Sequence, residues 1–310
     1  MPASESDIFR LLMTEEDGLP RPVGHLFDAW VSSIAQKRPS ESAWDIAARQ
    51  WLAVLRNALD PGYQLHESKH FMILAWEEHR LAKTLLKFAE ASRSAVLASL
   101  PGVATFPAHG KKVMIIFQTF DEYYQYVEWY LPKGGFSVPS SIHLRKGYPH
   151  IASFGFDLLP LESALAYSLT KASLHALELP RWLEEGLAQL FERQLSNTHS
   201  FSVSQETANA LRNFWNTIGL DRFWCGDDFD CPIDSDSNMH LAAILTTLLA
   251  EQSRPQWFGF DQGPRRRFLS FIRSAKIDDC GNQACIDHFG FDLNHLAERF
   301  LGDEGWYPQV

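Results

Sequence analysis

Residues 161–195, LESALAYSLTKASLHALELPRWLEEGLAQLFERQL, decide the reading of this chain. They predict two amphipathic helices that meet at Leu179-Pro180. Leu161, Leu165, Leu169 and Leu174 give the first its apolar face, and Trp182, Leu183, Leu187, Leu190 and Phe191 give the second its own. Proline suits a first helical turn and disrupts a helix interior, so Pro180 marks a break and a restart.

Within that stretch, LPRWLEEGLAQ (179–189) is the most distinctive string. It resembles the second helix of the glutamate-zincin (gluzincin) metallopeptidases of the peptidase-MA-like type, where an HExxH helix is followed by a helix of the form LPxWLxEGxA. The resemblance implies a zincin-like fold and makes Glu185 the counterpart of the third zinc ligand. It also places the HExxH on Tyr167-Ser168-Leu169-Thr170-Lys171. Zinc needs two imidazoles at i and i+4, which share one helix face, and the reaction needs a carboxylate beside the first to take a proton from metal-bound water. Tyr167 and Lys171 stand where the imidazoles belong, and Ser168 where the base belongs. A protonated lysine has three donors and no lone pair, so it ligates no cation. The resemblance therefore implies a scaffold without an intact catalytic residue and without a cofactor. Trp182, Glu184 and Glu185 are the expected binding residues of the former cleft. In that alignment Lys171 faces Glu185, and an ammonium about 3 Å from the carboxylate takes the place of the metal. The alternative has Lys171 in solvent and Glu185 as a helix cap. A further set, His175 with Glu178 and Glu185, lacks a general base and is out of register, and His175 reads as a surface histidine.

A literal HExxH does occur, at His66-Glu67-Ser68-Lys69-His70. Pro61-Gly62 lies just before it, and the run from His70 to Trp76 is short and apolar like a buried strand. On a strand, positions i and i+4 sit about 13 Å apart, too far for one zinc. The segment resembles the first strand of peptidase-MA-like proteins rather than their zinc helix. An active zinc peptidase using His66, Glu67 and His70, with Glu185 as distant carboxylate, is the alternative reading and needs residues 66–70 to be helical.

Outward from the centre, residues 1–60 predict an auxiliary helical extension. Its best helix starts at Ser42-Ala43-Trp44-Asp45, carries Trp44, Ala48, Trp51, Leu55 and Leu59 on one face, and ends at Pro61-Gly62. A helix over 77–100 follows, then the strand Val113–Phe117. Asp121 is the expected cap of an aromatic helix, Glu122 to Tyr130, whose Tyr123, Tyr124, Tyr126, Trp129 and Tyr130 read as packing residues. Gly134-Gly135 is a turn. Ser141–Leu144 and His150–Phe154 are strands joined by the turn Arg145 to Pro149. The order strand, helix, strand, helix, strand, strand, helix pair resembles the gluzincin layout, in which a small sheet precedes the HExxH helix and its edge strand binds extended peptide by strand addition. Beyond the pair the chain reads as helical over 204–218, 240–251, from Pro264, and over 284–301. HFGFDLNHLAERFL (288–301) is similar to the FGxDLxxLE ending of peptidase-MA-like domains, so the resemblance extends over residues 63–305.

At 310 residues the chain holds enough material for a large core, and its composition, 45% hydrophobic and 21% charged, is that of a globular protein. A net charge of -10 argues against a generic nucleic-acid or anionic-membrane binder. The first twenty residues show no secretory pattern, and no apolar run reaches the ~18–20 residues of a membrane span, so the expected location is cytoplasmic. Cys225/Cys231 and Cys280/Cys285 are spaced too widely for a zinc ribbon and read as free thiols. The acidic loop 225–238, CGDDFDCPIDSDSN, lacks the glycine and terminal glutamate of an EF-hand and reads as solvated. Arg265-Arg266-Arg267 reads as an exposed first turn. There is no phosphate-cradling glycine loop, no GxSxG and no internal repeat.

The expected architecture is α+β: residues 1–60 a helical extension, 63–200 a zincin-like subdomain with a small mixed sheet and the central helix pair, and 201–310 a helical C-terminal subdomain. The expected function is that of a catalytically inactive gluzincin-like protein holding a protein or peptide partner in the former cleft. Besides the HESKH peptidase, a second alternative is a non-peptidase enzyme using Tyr167, Lys171 and Glu185 as acid–base groups.

Overall fold

A computed structural model describes residues 13–14, 19–35, 43–76, 81–106, 110–131, 140–144, 147–196, 204–230, 235–252, 263–302 and 306. The chain is α+β, with a five-stranded mixed sheet among many helices. In order come β1 (Met13–Thr14), β2 (Arg21–Pro22), α1 (Gly24–Ala35), α2 (Ala43–Ala58), β3 (Tyr63–Glu67), β4 (Phe71–Trp76), α3 (Leu81–Ser99), β5 (Lys112–Phe117) and α4 (Phe120–Glu128). Then follow β6 (Ser141–Leu144), β7 (His150–Phe154), α5 (Leu158–Leu174), α6 (Arg181–Leu195), α7 (Gln205–Ile218), α8 (Asp221–Cys225), α9 (Ser235–Glu251), α10 (Gly263–Ser274), α11 (Asn282–Phe289) and α12 (Leu293–Leu301). The expected Ser42 cap, the Gly134-Gly135 turn, Arg145 and Cys231 lie outside the described residues.

The sheet order is β3-β4-β5-β7-β6. β4, β5 and β7 run parallel, and β3 and β6 pair antiparallel at the two edges. The sequence explains which strands are central. FMILAW in β4 and VMIIF in β5 are continuous apolar runs, buried on both faces, as parallel strands covered on both sides must be. YQLHE and SIHL carry polar residues at half-buried positions, as edges tolerate.

The chain divides into two compact units, Met1–Ser94 with Phe106–Ser168, and Ala95–Thr105 with Leu169–Val310. This differs from the expected boundaries at residues 60 and 200. The N-terminal helices are no separate extension: Phe27 and Val31 of α1 and Trp51 and Leu55 of α2 share one core with Met72, Leu74, Val113, Ile115 and Ala152 of the sheet and Tyr123 and Tyr126 of α4. The central helix pair is likewise not the end of the first unit. α6 lies in a second core, where Trp182, Leu183 and Leu187 pack with Trp215, Phe223, Leu241, Leu245 and Phe271.

Two buried polar side chains of the first unit, Arg21 and His150, are held by several hydrogen bonds each. Arg21, fully buried, donates Nε to the carbonyl of Tyr126 at 3.0 Å, in the last turn of α4, where carbonyls lack helical partners. His150 is equally buried: its Nδ1 lies 2.6 Å from the Tyr148 carbonyl, which can only accept, so Nδ1 carries the proton. Nε2 then accepts from the Tyr126 hydroxyl at 2.9 Å. The cap of α4 is Thr119, not the expected Asp121: the Thr119 side chain and Glu122 form a reciprocal capping box.

In the second unit, Arg265 of the arginine run is exposed and donates to the Ala98 carbonyl at 2.6 Å, closing the C-terminal end of α3. The thiols of Cys225, Cys280 and Cys285 are free.

Candidate functional site

α5 ends at Leu174, a single 3-10 turn covers His175–Leu177, and Glu178 turns the chain in the left-handed region at φ 48°. Pro180 then caps α6 from outside, its carbonyl accepting the amides of Leu183 and Glu184 at 3.0 Å each. This sharp reversal brings the end of α5 back beside the first turn of α6.

At that point Lys171 Nζ donates to Glu185 Oε1 at 2.6 Å. The same Glu185 oxygen lies 2.9 Å from Arg181 Nε, one turn back along α6. Glu184 is buried beside them, its Oε2 4.0 Å from Lys171 Nζ and 3.9 Å from Arg181 Nη1. Two carboxylates and two cations thus form a compact cluster of no net charge. The Glu185 side chain is 2% exposed and that of Lys171 11%, so the contact between them is a buried ion pair. The expectation of an ion pair at these positions therefore stands, and the solvent-facing alternative does not. Such a donor set does not fit zinc: ammonium and guanidinium groups occupy the space around Glu185, and neither offers a lone pair.

The other expected residues fall in different places. Tyr167, half-buried, is one turn before Lys171 on α5. Ser168 is buried against the sheet, its hydroxyl 3.4 Å from that of Ser141 on β6. Trp182, expected at a binding surface, is instead fully buried: its indole NH donates to the Cys280 carbonyl at 2.9 Å and its ring meets Trp224 edge-on. A tryptophan at the second position of α6 faces the helical core, so it has no surface to offer a partner. His175 and Glu178 are exposed on the turn, whereas Glu185 is buried. The structure does not gather these three into one set.

HESKH is a hairpin. His66 and Glu67 end β3, Ser68 to His70 form the turn, and β4 starts at Phe71, so the helical i, i+4 face that this motif needs is not formed. The cause is long-range. Glu90 on α3 accepts from Ser68 Oγ at 2.7 Å and from the His70 amide at 2.8 Å, and holds His70 Nδ1 at 2.7 Å. Glu67 is clamped by Arg49, with Nε 2.7 Å and Nη2 2.9 Å away, and by Lys111 Nζ at 2.7 Å. The Arg49 hydrogen bonds lead in drawing its carboxyl down to about 2, too acidic for a general base near neutral pH.

Two features at the cluster were not read from the sequence. Arg181 was the accessible one, since an Arg four residues before a Glu on a helix is a standing pair. The other is Gly186. A Cβ there would collide with Thr246 Oγ1 and come within 2.5 Å of the Ala242 carbonyl on α9. The glycine of the EG pair thus lets α9 press against α6 just behind Glu185, and Gln189 Nε2 adds a hydrogen bond of 2.7 Å to the Met239 carbonyl.

Comparison with protein-family models and with curated proteins finds no match to this chain.

Proposed function

We propose that this chain is a catalytically inactive, gluzincin-like protein, a metallopeptidase scaffold kept for holding a protein or peptide partner rather than for hydrolysis. The observation that carries the reading is the Lys171–Glu185 ion pair. The lysine falls where the sequence resemblance calls for a zinc-binding imidazole, and its ammonium meets the carboxylate that the resemblance makes the third ligand, 2.6 Å away. A tethered cation does there what a bound cation does elsewhere, neutralising a buried carboxylate and joining α5 to α6. Supporting it is the order of elements, with a mixed sheet whose antiparallel edge strand β6 and neighbour β7 come directly before α5. Among the described residues β6 is the last strand of its sheet, a position that suits an extended peptide added as a further strand. Among the described residues no helix is long and apolar enough to cross a membrane. The setting we propose is cytoplasmic.

The test is elemental mass spectrometry of the purified, tag-free protein and its variants. The expected wild-type result is no stoichiometric zinc. The double variant Tyr167→His, Lys171→His, which restores both imidazoles and leaves buried Ser168 alone, is expected to gain about one zinc per chain. Zinc near one equivalent in the wild type, lost in His66→Ala, overturns the proposal. A folded, zinc-free double variant overturns the gluzincin scaffold itself.

A further inference from the structure

The first unit carries an exposed aromatic stripe that its own core does not use. On α4, Phe120, Tyr124 and Glu128 follow one another at helical spacing along the outer face, with Asp121 and Gln125 beside them, and all five are exposed. Phe120 is 47% and Tyr124 40% exposed, although the opposite face of the same helix, Tyr123, Tyr126 and Val127, is wholly buried. The two exposed rings lie 5.9 Å apart. Phe120 also meets Phe154, at the end of β7, edge-on at 5.2 Å. The backbone continues the patch: the Gly155 amide bonds the Phe117 carbonyl at 3.1 Å, which keeps the segment after β7 next to the start of α4. That segment presents Phe156, 58% exposed, followed by exposed Asp157.

Along the two segments that carry these rings the exposed charge has a single sign; the Arg21 guanidinium behind α4 is buried and spent on the Gln125 and Tyr126 carbonyls. Residues 118–131 and 150–170 hold Asp121, Glu122, Glu128, Asp157 and Glu162 and not one lysine or arginine. Glu122 is engaged in the capping box, leaving Asp121, Glu128 and Asp157 exposed beside the rings. Aromatic faces attract cations through their quadrupole, and carboxylates one residue or one turn away attract them by charge. A purely apolar partner leaves those carboxylates desolvated, and an acidic partner or a nucleic acid is repelled. The side chain that satisfies rings and carboxylates together is a planar guanidinium, stacked on Phe120 or Tyr124 and hydrogen-bonded to Asp121 or Glu128.

We infer that the outer face of α4, with the segment after β7, is a docking surface for an arginine-bearing peptide segment of a partner protein. It shares no residue with the Lys171–Glu185 cluster, so the failure of one reading leaves the other standing.

The experiment is fluorescence anisotropy of labelled octa-arginine, octa-lysine and octa-glutamate titrated with the full chain at low and moderate salt. The variants are Phe120→Ala with Tyr124→Ala, Asp121→Asn with Glu128→Gln, and, as a charge control on the second unit, Glu206→Gln with Asp287→Asn. Circular dichroism shows that each is folded. Octa-arginine is expected to bind more tightly than octa-lysine, with octa-glutamate not binding. The ring variant, whose net charge is unchanged, is expected to lose roughly tenfold in affinity. The carboxylate pair is expected to lose a similar factor and part of the salt dependence, and the control pair to lose little. Octa-arginine binding untouched by the ring variant, or weakened equally by the charge control, shows general attraction to an acidic protein and overturns the inference. Failure of octa-arginine to bind at low salt overturns it as well.

Discussion

Glu185 is the residue on which the candidate site turns. Burying an ionised carboxylate is costly unless opposite charge and hydrogen bonds compensate it, and Lys171 and Arg181 do so from two directions. Lys171→Ala should destabilise the second unit by roughly 2 kcal/mol, short of the ~3–5 kcal/mol of a pair left with no partner, because Arg181 remains. Chemical denaturation measures it. Glu185→Gln added to Lys171→Ala should recover much of the loss, since the uncompensated charge goes with it; strictly additive losses would show that the two side chains do not interact.

His150 gives the first unit a pH dependence. Burial lowers it from 6.5 to about 4, against the opposing effect of the Tyr148 carbonyl. The sign follows directly. Below about 6.5 the unfolded chain takes up a proton that the native state refuses until about 4, so stability is complete above that window and falls as pH drops through it. The loss should be on the order of 3 kcal/mol by pH 4. Urea unfolding at several pH values reads it, and His150→Asn should flatten the slope in that window.

Among the elements, α6 is fixed by what lies behind it. Gly186 costs helix propensity but permits the close approach of α9. Gly186→Ala should therefore destabilise the second unit by about 1–3 kcal/mol despite its better helix propensity. Adding Thr246→Ala should restore only part of this, because the Ala242 carbonyl still stands in the way. A thermal midpoint equal to or above wild type for the single variant would show that the helices do not touch there. The hairpin at residues 63–76 makes the complementary point: HESKH follows the shape of a metal motif, yet its conformation is set by Glu90 on α3, Arg49 on α2 and Lys111 before β5. Three letters in register carry little weight against such contacts.

Across the whole molecule, the division into units departs from the linear order of the chain. α6 completes a core built chiefly from residues beyond 200, including Trp215, Phe223, Leu241 and Phe271. A fragment of residues 1–200 should therefore leave Trp182, Leu183 and Leu187 without their packing partners, bind a hydrophobic dye strongly and give poorly dispersed amide spectra. A well-dispersed spectrum would support a boundary at residue 200 and argue against the second core.

The sequence by itself determined the local elements: the helices from the period of Leu161, Leu165 and Leu169, their break from Pro180, the central strands from the runs in β4 and β5, and the α7 start from Ser204, whose side chain accepts the Thr207 amide. These follow from backbone sterics and burial over a few residues, which a single segment encodes. The sequence left two readings of Lys171 open, a pair with Glu185 or a place in solvent, and the structure decided for the pair. Only the tertiary structure decided that Arg181 shares that carboxylate, that Trp182 is core rather than surface, that HESKH is a hairpin, and that α1 and α2 share a core with the sheet. Each of these outcomes depends on partners distant along the chain or on which face of a helix is covered. Their energies arise only when the whole chain has closed its loops, so no local pattern announces them.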